Sequence, residues 1–104
     1  LLRHLSEPKP TTVFEVPAKR LSGIQFQRLA AAHGLRLDRK TRMLYAHSAI
    51  GINGELVVPA RGAIATLRAL ADQRSLSAQQ ARRAAASAWP LLHAWHGAGW
   101  IVVN

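Results

Sequence analysis

The sequence predicts an α+β domain that is mainly helical and carries a small antiparallel sheet. Before residue 34 and after residue 59, apolar residues recur at three- and four-residue spacing, as on one face of a helix. Between these regions, short runs containing Tyr, Ile and Val are interrupted by Gly and Asn, as in strands joined by tight turns. The chain of 104 residues has the length of one domain with a single modest core.

The first 17 residues are predicted to be a segment distinct from the domain of residues 18–104. Residues 1–5, LLRHL, are expected to be the last turn of a helix, and the three prolines that follow favour an extended connector. We expect the connector to lie against the domain through its apolar side chains, Val13, Phe14 and Val16. Because the chain begins with Leu1 and not with Met, we interpret it as a piece of a longer protein.

The first helix is predicted over residues 23–33. Ser22 is a typical N-cap residue, and Gly34 suits the left-handed conformation that often ends a helix. Three apolar residues at helical spacing are expected to face the core: Phe26, Leu29 and Ala30.

Two or three further helices are predicted after Pro59. Over residues 61–73, one apolar stripe is formed by Ile64, Leu67, Leu70 and Ala71. Ser77 and Gln80 make a capping-box pattern, so an alanine-rich helix is expected to begin there and to continue towards Ala88. Pro90 can occupy the first position of a last helix.

Residues 35–58 are predicted to hold two or three short antiparallel strands. One turn is expected near Asp38–Lys40, and a tight one at Asn53–Gly54, a dipeptide that accepts positive φ at low cost. A middle turn falls within His47–Gly51, and Trp100–Val103 is predicted to be a short closing strand. A helical body with a small sheet on one side is typical of helix-turn-helix or winged-helix architectures.

The residue types of the chain give little support to a catalytic site or a metal site. The absence of cysteine excludes disulfides, a thiolate nucleophile and Cys-ligated zinc. None of the five carboxylates lies within four residues of another, and no histidine is followed by the His-x-Asp/Glu pattern of an iron facial triad. His93 and His96 have a spacing compatible with a shared metal, but packing or capping near a helix end is the favoured interpretation.

The net charge of +9, from 14 Lys+Arg against 5 Asp+Glu, favours an anionic partner such as nucleic acid, a ribosome or an acidic protein surface. A solvated basic face in a protein from a GC-rich genome is the alternative. The candidate residues for contact with an anionic partner lie around one predicted turn and on the alanine-rich helix: Arg36, Arg39, Lys40, Arg42, Arg82 and Arg83. No signal peptide is visible, and no apolar run approaches the roughly 18 residues of a membrane span, so a cytoplasmic protein without membrane contact is expected.

Several stretches, taken together, resemble one family. LLRHLSEPKPTTVFEVP resembles the segment that follows the dimerisation helices of bacterial cupin-type JmjC oxygenases, and LDRKTRMLYAHSAIGINGE resembles the strand pair that opens their C-terminal domain. LRALADQRSLSA and LLHAWHGAGWIVV resemble the helices and closing strand of that domain. These proteins are similar to the ribosomal oxygenases, which hydroxylate a ribosomal-protein side chain with Fe(II), 2-oxoglutarate and oxygen.

The resemblance implies a non-catalytic C-terminal winged-helix domain, preceded by the tail of a dimerisation helix and a connector in residues 1–17. Fe(II) and 2-oxoglutarate would belong to the longer protein, with no cofactor or metal in this chain. The implied partners are the catalytic cupin domain of the same polypeptide, a second copy and a ribosomal protein. The positive charge, which the resemblance does not predict, leaves contact with ribosomal RNA open. The alternative is a free-standing winged-helix protein that binds nucleic acid, such as a regulator. An independent enzyme is the third class.

Overall fold

The computed structural model describes residues 1–104 and contains five α-helices and six short strands. The helices are α1 (Leu2–Ser6), α2 (Gly23–His33), α3 (Ile64–Gln73), α4 (Ala78–Arg82) and α5 (Trp89–Gly97). The strands are β1 (Leu35–Leu37), β2 (Met43–Ala46), β3 (Ala49–Ile52), β4 (Glu55–Val57), β5 (Ser75–Leu76) and β6 (Ile101–Val103). Single 3-10 turns at Arg61–Ala63 and Ala86–Ala88 lead into α3 and α5. None of the helices has the length and hydrophobicity that crossing a membrane requires.

The strands form two antiparallel sheets of three strands each. One sheet has the order β5-β1-β6, and the other is the meander β2-β3-β4, which we call the wing. The predicted α+β class with a small antiparallel sheet is confirmed, and the strands prove to be divided between two sheets. The turn expected near Asp38–Lys40 is present, and it connects the two sheets because β1 pairs with β5 and β6 and not with β2.

The two turns of the wing require unusual backbone conformations. His47 has φ +54 at the turn between β2 and β3, which places the middle turn at His47–Ser48. Asn53 and Gly54 have φ +46 and +86, as expected for an Asn-Gly turn between two antiparallel strands. The tight turn predicted from this dipeptide is therefore confirmed.

The predicted N-cap at Ser22 and the predicted capping box at Ser77 and Gln80 are present, and Ser22 also forms a capping box, with Gln25. The Ser22 hydroxyl accepts from the Gln25 N–H at 3.1 Å, while the Gln25 side chain accepts from the Ser22 N–H at 3.0 Å. Ser77 and Gln80 repeat this exchange at the start of α4. The α4 helix nevertheless ends at Arg82, earlier than the alanine-rich sequence predicts. Tertiary packing overrides the helix propensity of alanine here, because the 3-10 turn at Ala86–Ala88 packs against the one at Arg61–Ala63.

The aromatic part of the core lies between α2 and α5. Phe26 is fully buried, meets Trp89 edge to face with ring centroids 6.0 Å apart, and stacks on His96 at 4.8 Å. Ala30 is buried as predicted, but Leu29 is 37% exposed. The prediction that Leu29 faces the core was wrong, because one turn of 3.6 residues from Phe26 falls between Leu29 and Ala30 and the core lies on the Ala30 side.

The connector touches the domain at fewer points than its apolar residues predict. Phe14 packs edge to face on Trp100, with centroids 6.3 Å apart, whereas Val13 and Val16 are exposed. The backbone at Glu15 passes so close to Gly99 that a Cβ there would lie 2.4 Å from the Glu15 carbonyl oxygen. One aromatic ring and the backbone of the connector therefore contact the domain, and the expectation for the side chains of the two valines was wrong.

Candidate anion-binding cleft

A polar cleft of about 390 Å³ lies where the loop between β1 and β2 faces the connector. None of its seven lining residues is hydrophobic and none is acidic: Lys9, Thr12, Arg39, Lys40, Thr41, Arg42 and Arg74. Five cationic side chains thus surround one small space.

The loop between the sheets has a fixed shape. The Asp38 carboxylate accepts from the Lys40 N–H at 2.8 Å, and the Asp38 carbonyl accepts from the Thr41 N–H at 2.9 Å. Thr41 is buried and its hydroxyl donates to the Trp100 carbonyl at 2.8 Å, which ties the loop to the closing strand. The backbone of Arg42 is held by Asn53, whose side-chain oxygen accepts a hydrogen bond from the Arg42 N–H at 2.9 Å.

Arg74 brings a cation from the end of α3 into the cleft. It has φ +60 at the C-cap of that helix, and its side chain turns back towards the loop. One nitrogen, Nη2, donates to the carbonyl oxygens of Thr41 at 2.9 Å and Asp38 at 3.1 Å. The guanidinium therefore stabilises the loop while it contributes positive charge to the cleft.

Lys40 connects the loop to the connector. Its Nζ donates to the carbonyl of Val13 and lies 5.5 Å from the centroid of the Phe14 ring, a cation–π geometry. Arg42 makes one long contact, 3.4 Å from Nη1 to the Glu7 carbonyl oxygen. The side chains of Lys9 and Arg39 are exposed and form no hydrogen bond within the domain, so their donors are available to a ligand.

No carboxylate neutralises these cations at close range. The one contact within 4 Å between a basic and an acidic side chain joins His4 Nδ1 and Glu7 Oε2, 3.6 Å apart, and involves none of the five cations of the cleft. The positive charges of the cleft consequently add together, and a concave surface of one sign focuses the field on an incoming anion.

The structure brings together three of the six predicted contacts, Arg39, Lys40 and Arg42. Arg36 is exposed on β1 and does not line the cleft. On α4, Arg82 donates to the Ala31 carbonyl at 2.7 Å. Arg83 lines a separate shallow depression between α3 and α4.

Two cationic residues of the cleft, Lys9 and Arg74, were not predicted from the sequence. They come from distant parts of the chain, and only the three-dimensional fold places them beside the loop.

A second depression, of about 810 Å³, lies between the wing and α3. The Tyr45 hydroxyl donates to the Asp72 carboxylate at 2.9 Å, and the Arg68 guanidinium lies 4.9 Å from the centre of the Tyr45 ring. The hydrogen bond to Asp72 raises the pKa of Tyr45; burial and the Asp72 charge act in the same direction, and the Arg68 charge opposes them. This depression contains both signs of charge, so it attracts anions less than the cleft does.

The two histidines of α5 have packing roles. A ring nitrogen of His93 lies 2.8 Å from the Leu21 carbonyl oxygen, and Nδ1 of His96 lies 2.9 Å from that of Ile101. Both rings pack against Phe26. Nowhere in the domain do three His, Asp or Glu side chains converge as a ligand set, so we derive no metal chemistry from these residues.

Comparison with known proteins identifies the family. The family model described as ROXA-like winged helix matches residues 1–101. No curated protein sequence matches the chain.

Solved structures of YcfD, a ribosomal oxygenase from Escherichia coli, share the fold. One of them superposes with a TM-score of 0.83 at 17% identity, over 99% of this chain and 29% of that one. The complex with cobalt and succinic acid superposes with a TM-score of 0.82 at 18% identity, over 97% of this chain and 28% of that one. The complex with cobalt and 2-oxoglutarate superposes with a TM-score of 0.79 at 17% identity, over 96% of this chain and 28% of that one. The chain thus spans less than a third of the length of these proteins. Because the family model covers nearly all of it, the chain belongs to the ROXA-like winged-helix family.

Proposed function

We propose that this domain is the non-catalytic winged-helix part of a ribosomal-oxygenase-like protein, where it braces a dimer and helps to position the substrate. The longer protein would be a cupin/JmjC-type hydroxylase that holds Fe(II) and 2-oxoglutarate in a separate catalytic domain of the same polypeptide. Family membership and the fold shared with the YcfD structures support an oxygenase-associated domain. The observation that carries the bracing role is the attachment of α1 to the wing.

The α1 helix lies directly on the wing. Gly51 leaves room for it, because a Cβ at that position would lie 2.9 Å from both Leu2 Cγ and the Leu2 carbonyl oxygen. Ser6 is fully buried, and its hydroxyl accepts from the Gly54 N–H at 3.1 Å while it donates to the Arg3 carbonyl at 2.9 Å. Whatever structure is continuous with α1 would therefore be coupled rigidly to the wing.

An apolar groove of about 440 Å³ runs beside this contact. All of its lining residues are hydrophobic: Leu1, Leu2, Leu5, Leu44, Tyr45 and Ala46. Leu1 is 95% exposed and Leu5 53%. Exposed apolar surface of this kind is typical of a protein contact, and in the proposed assembly the dimerisation helices would cover it.

The test is a pair of double variants of the full-length protein. Leu5→Asp with Leu44→Asp places charge in the groove at exposed positions, so the domain should still fold. Val16→Asp with Val58→Asp adds the same charge at exposed valines outside the groove. We expect only the groove variant to lower the dimer fraction in light scattering and the hydroxylation of ribosomal protein in mass spectrometry. Unchanged dimer and hydroxylation in the groove variant would contradict the proposal.

The cleft favours a second candidate, a free-standing winged-helix protein that binds nucleic acid. The two candidates differ in what precedes Leu1 in the natural protein. The oxygenase requires an upstream segment that supplies a His-x-Asp/Glu ligand pattern, whereas the regulator requires a start codon close to Leu1. Sequencing the native reading frame decides between them.

A further inference from the structure

We propose that the cleft between the connector and the β1–β2 loop binds the phosphate backbone of a double-stranded nucleic acid, without reading its sequence. The inference depends on the cleft alone and not on the attachment of the domain to an oxygenase. It deepens the second candidate function, because it names the phosphates of a duplex as the ligand of the cleft, and its failure would leave the architectural role of α1 untouched.

The free donors of the cleft match phosphate oxygens. Arg39 and Arg42 carry planar guanidinium groups, whose paired N–H donors fit the oxygens of a phosphate. Lys9, an exposed residue of the connector, adds an ammonium group. These three exposed side chains make at most one long hydrogen bond to the domain, so binding an anion would cost few existing interactions.

The remaining two cations shape the cleft. Arg74 holds the loop through the carbonyls of Asp38 and Thr41, and Lys40 ties the loop to the connector. The loop is therefore formed before a ligand arrives, which lowers the entropic cost of binding.

The lining favours a phosphate backbone over a small organic ligand. Small-molecule sites are lined mainly by apolar and aromatic groups, which hold the uncharged parts of the ligand. This cleft has no hydrophobic lining residue. A nucleic acid instead presents closely spaced phosphates on its outer surface, and a cleft lined by cationic and hydroxyl side chains can bind them without apolar contact.

The aromatic residues favour a duplex over a single strand. Binding of single strands relies on aromatic side chains on which bases stack. The aromatic ring beside the cleft, Phe14, already packs against Trp100 and lies under the Lys40 ammonium. With no free stacking platform, the cleft is suited to a ligand whose bases are paired and stacked on one another.

The test compares two triple variants of the full-length protein that remove the same charge. The cleft variant is Lys9→Gln, Arg39→Gln and Arg42→Gln, which leaves the shaping residues Lys40 and Arg74 intact. The control is Lys19→Gln, Arg28→Gln and Arg61→Gln, at exposed positions that do not line the cleft. Fluorescence anisotropy over a series of salt concentrations gives the affinity for one RNA duplex and one DNA duplex of equal length. A poly-glutamate peptide serves as the acidic-protein probe, and thermal melting checks that both variants fold.

We expect the cleft variant to bind duplex at least about tenfold more weakly at low salt. The slope of log K against log salt should become shallower by about 2 to 3, since each lost contact with a duplex phosphate removes about 0.9. The control should retain most of the affinity. The duplex that binds more tightly identifies RNA or DNA as the source of the phosphate, and either result supports the proposal. Equal losses in the two variants, tighter binding of poly-glutamate than of duplex, or no duplex binding at low salt would overturn it.

Discussion

The hydroxyl of Tyr45 donates a hydrogen bond to the carboxylate of Asp72 at 2.9 Å and so joins the wing to α3. Arg68, one turn before Asp72 on α3, lies over the Tyr45 ring and donates to the His47 carbonyl at the tip of the β2–β3 hairpin. The hydrogen bond to Asp72 raises the pKa of Tyr45 above its ordinary value of 10.0, because only the protonated phenol can donate it.

The raised pKa predicts how this link depends on pH. The folded protein binds the phenolic proton more tightly than the unfolded chain does, so the stabilisation is fully present below pH 10 and is lost as the pH rises through the folded pKa. We expect Tyr45→Phe to lower the free energy of unfolding near neutral pH, and the difference from the wild type to shrink above pH 10. Urea unfolding over a pH series measures both.

The chain contains one tyrosine, so its ionisation can be followed directly by tyrosinate absorption. Asp72→Ala should move the titration midpoint down towards the ordinary value, whereas Glu55→Ala, which removes an exposed carboxylate on β4, should leave it in place. Identical midpoints for the wild type and Asp72→Ala would show that the hydrogen bond does not form in solution.

Gly99 is predicted to be indispensable for the fit of the connector. It has φ +83, and a Cβ would lie 2.4 Å from the Glu15 carbonyl oxygen. Gly99→Ala should lower the free energy of unfolding by more than about 1 kcal/mol, since a left-handed alanine alone costs about 1–2 kcal/mol and the backbone contact must also open. Thermal melting and limited proteolysis of the connector would report the two effects.

Gly62 provides the matched control. Its φ is not positive, and an added Cβ would meet the Ala85 methyl at an ordinary contact distance of 3.7 Å. Gly62→Ala should be neutral or stabilising by up to about 1 kcal/mol, because alanine restricts the unfolded chain. If both variants melted alike, the close approach of the connector to Gly99 would be wrong.

Local sequence signals predicted the starts of α2 and α4 and the wing turn correctly because their causes are local. The caps at Ser22 and Ser77 need only a residue three positions along, and the Asn53–Gly54 turn needs only two residues that tolerate positive φ. The partners of β1 could not be predicted in this way. Leu35 pairs with Leu76 and with Val103, and nothing near β1 specifies residues so distant in the chain.

The cleft was predictable only in part, for the same reason. Arg39, Lys40 and Arg42 are neighbours in the sequence, so their clustering was visible. Arg74 becomes part of the site because α3 ends in a left-handed residue that directs its side chain to the loop. A cation that enters a site through the end of a remote helix leaves no local pattern.

A conservative change at Arg74 should lower the stability of the domain more than the exposure of this residue suggests. Arg74→Lys keeps the charge but loses the planar group that reaches the carbonyls of Asp38 and Thr41. We expect the free energy of unfolding to fall by about 1 kcal/mol, and the Thr41 amide, which donates to the Asp38 carbonyl, to exchange faster in hydrogen-exchange measurements. Arg83→Lys, at an exposed residue whose side chain forms no hydrogen bond, is the control and should change neither quantity. Unaltered exchange at Thr41 in Arg74→Lys would mean that the loop holds its shape without the guanidinium, and Arg74 would then be only one more charge in the cleft.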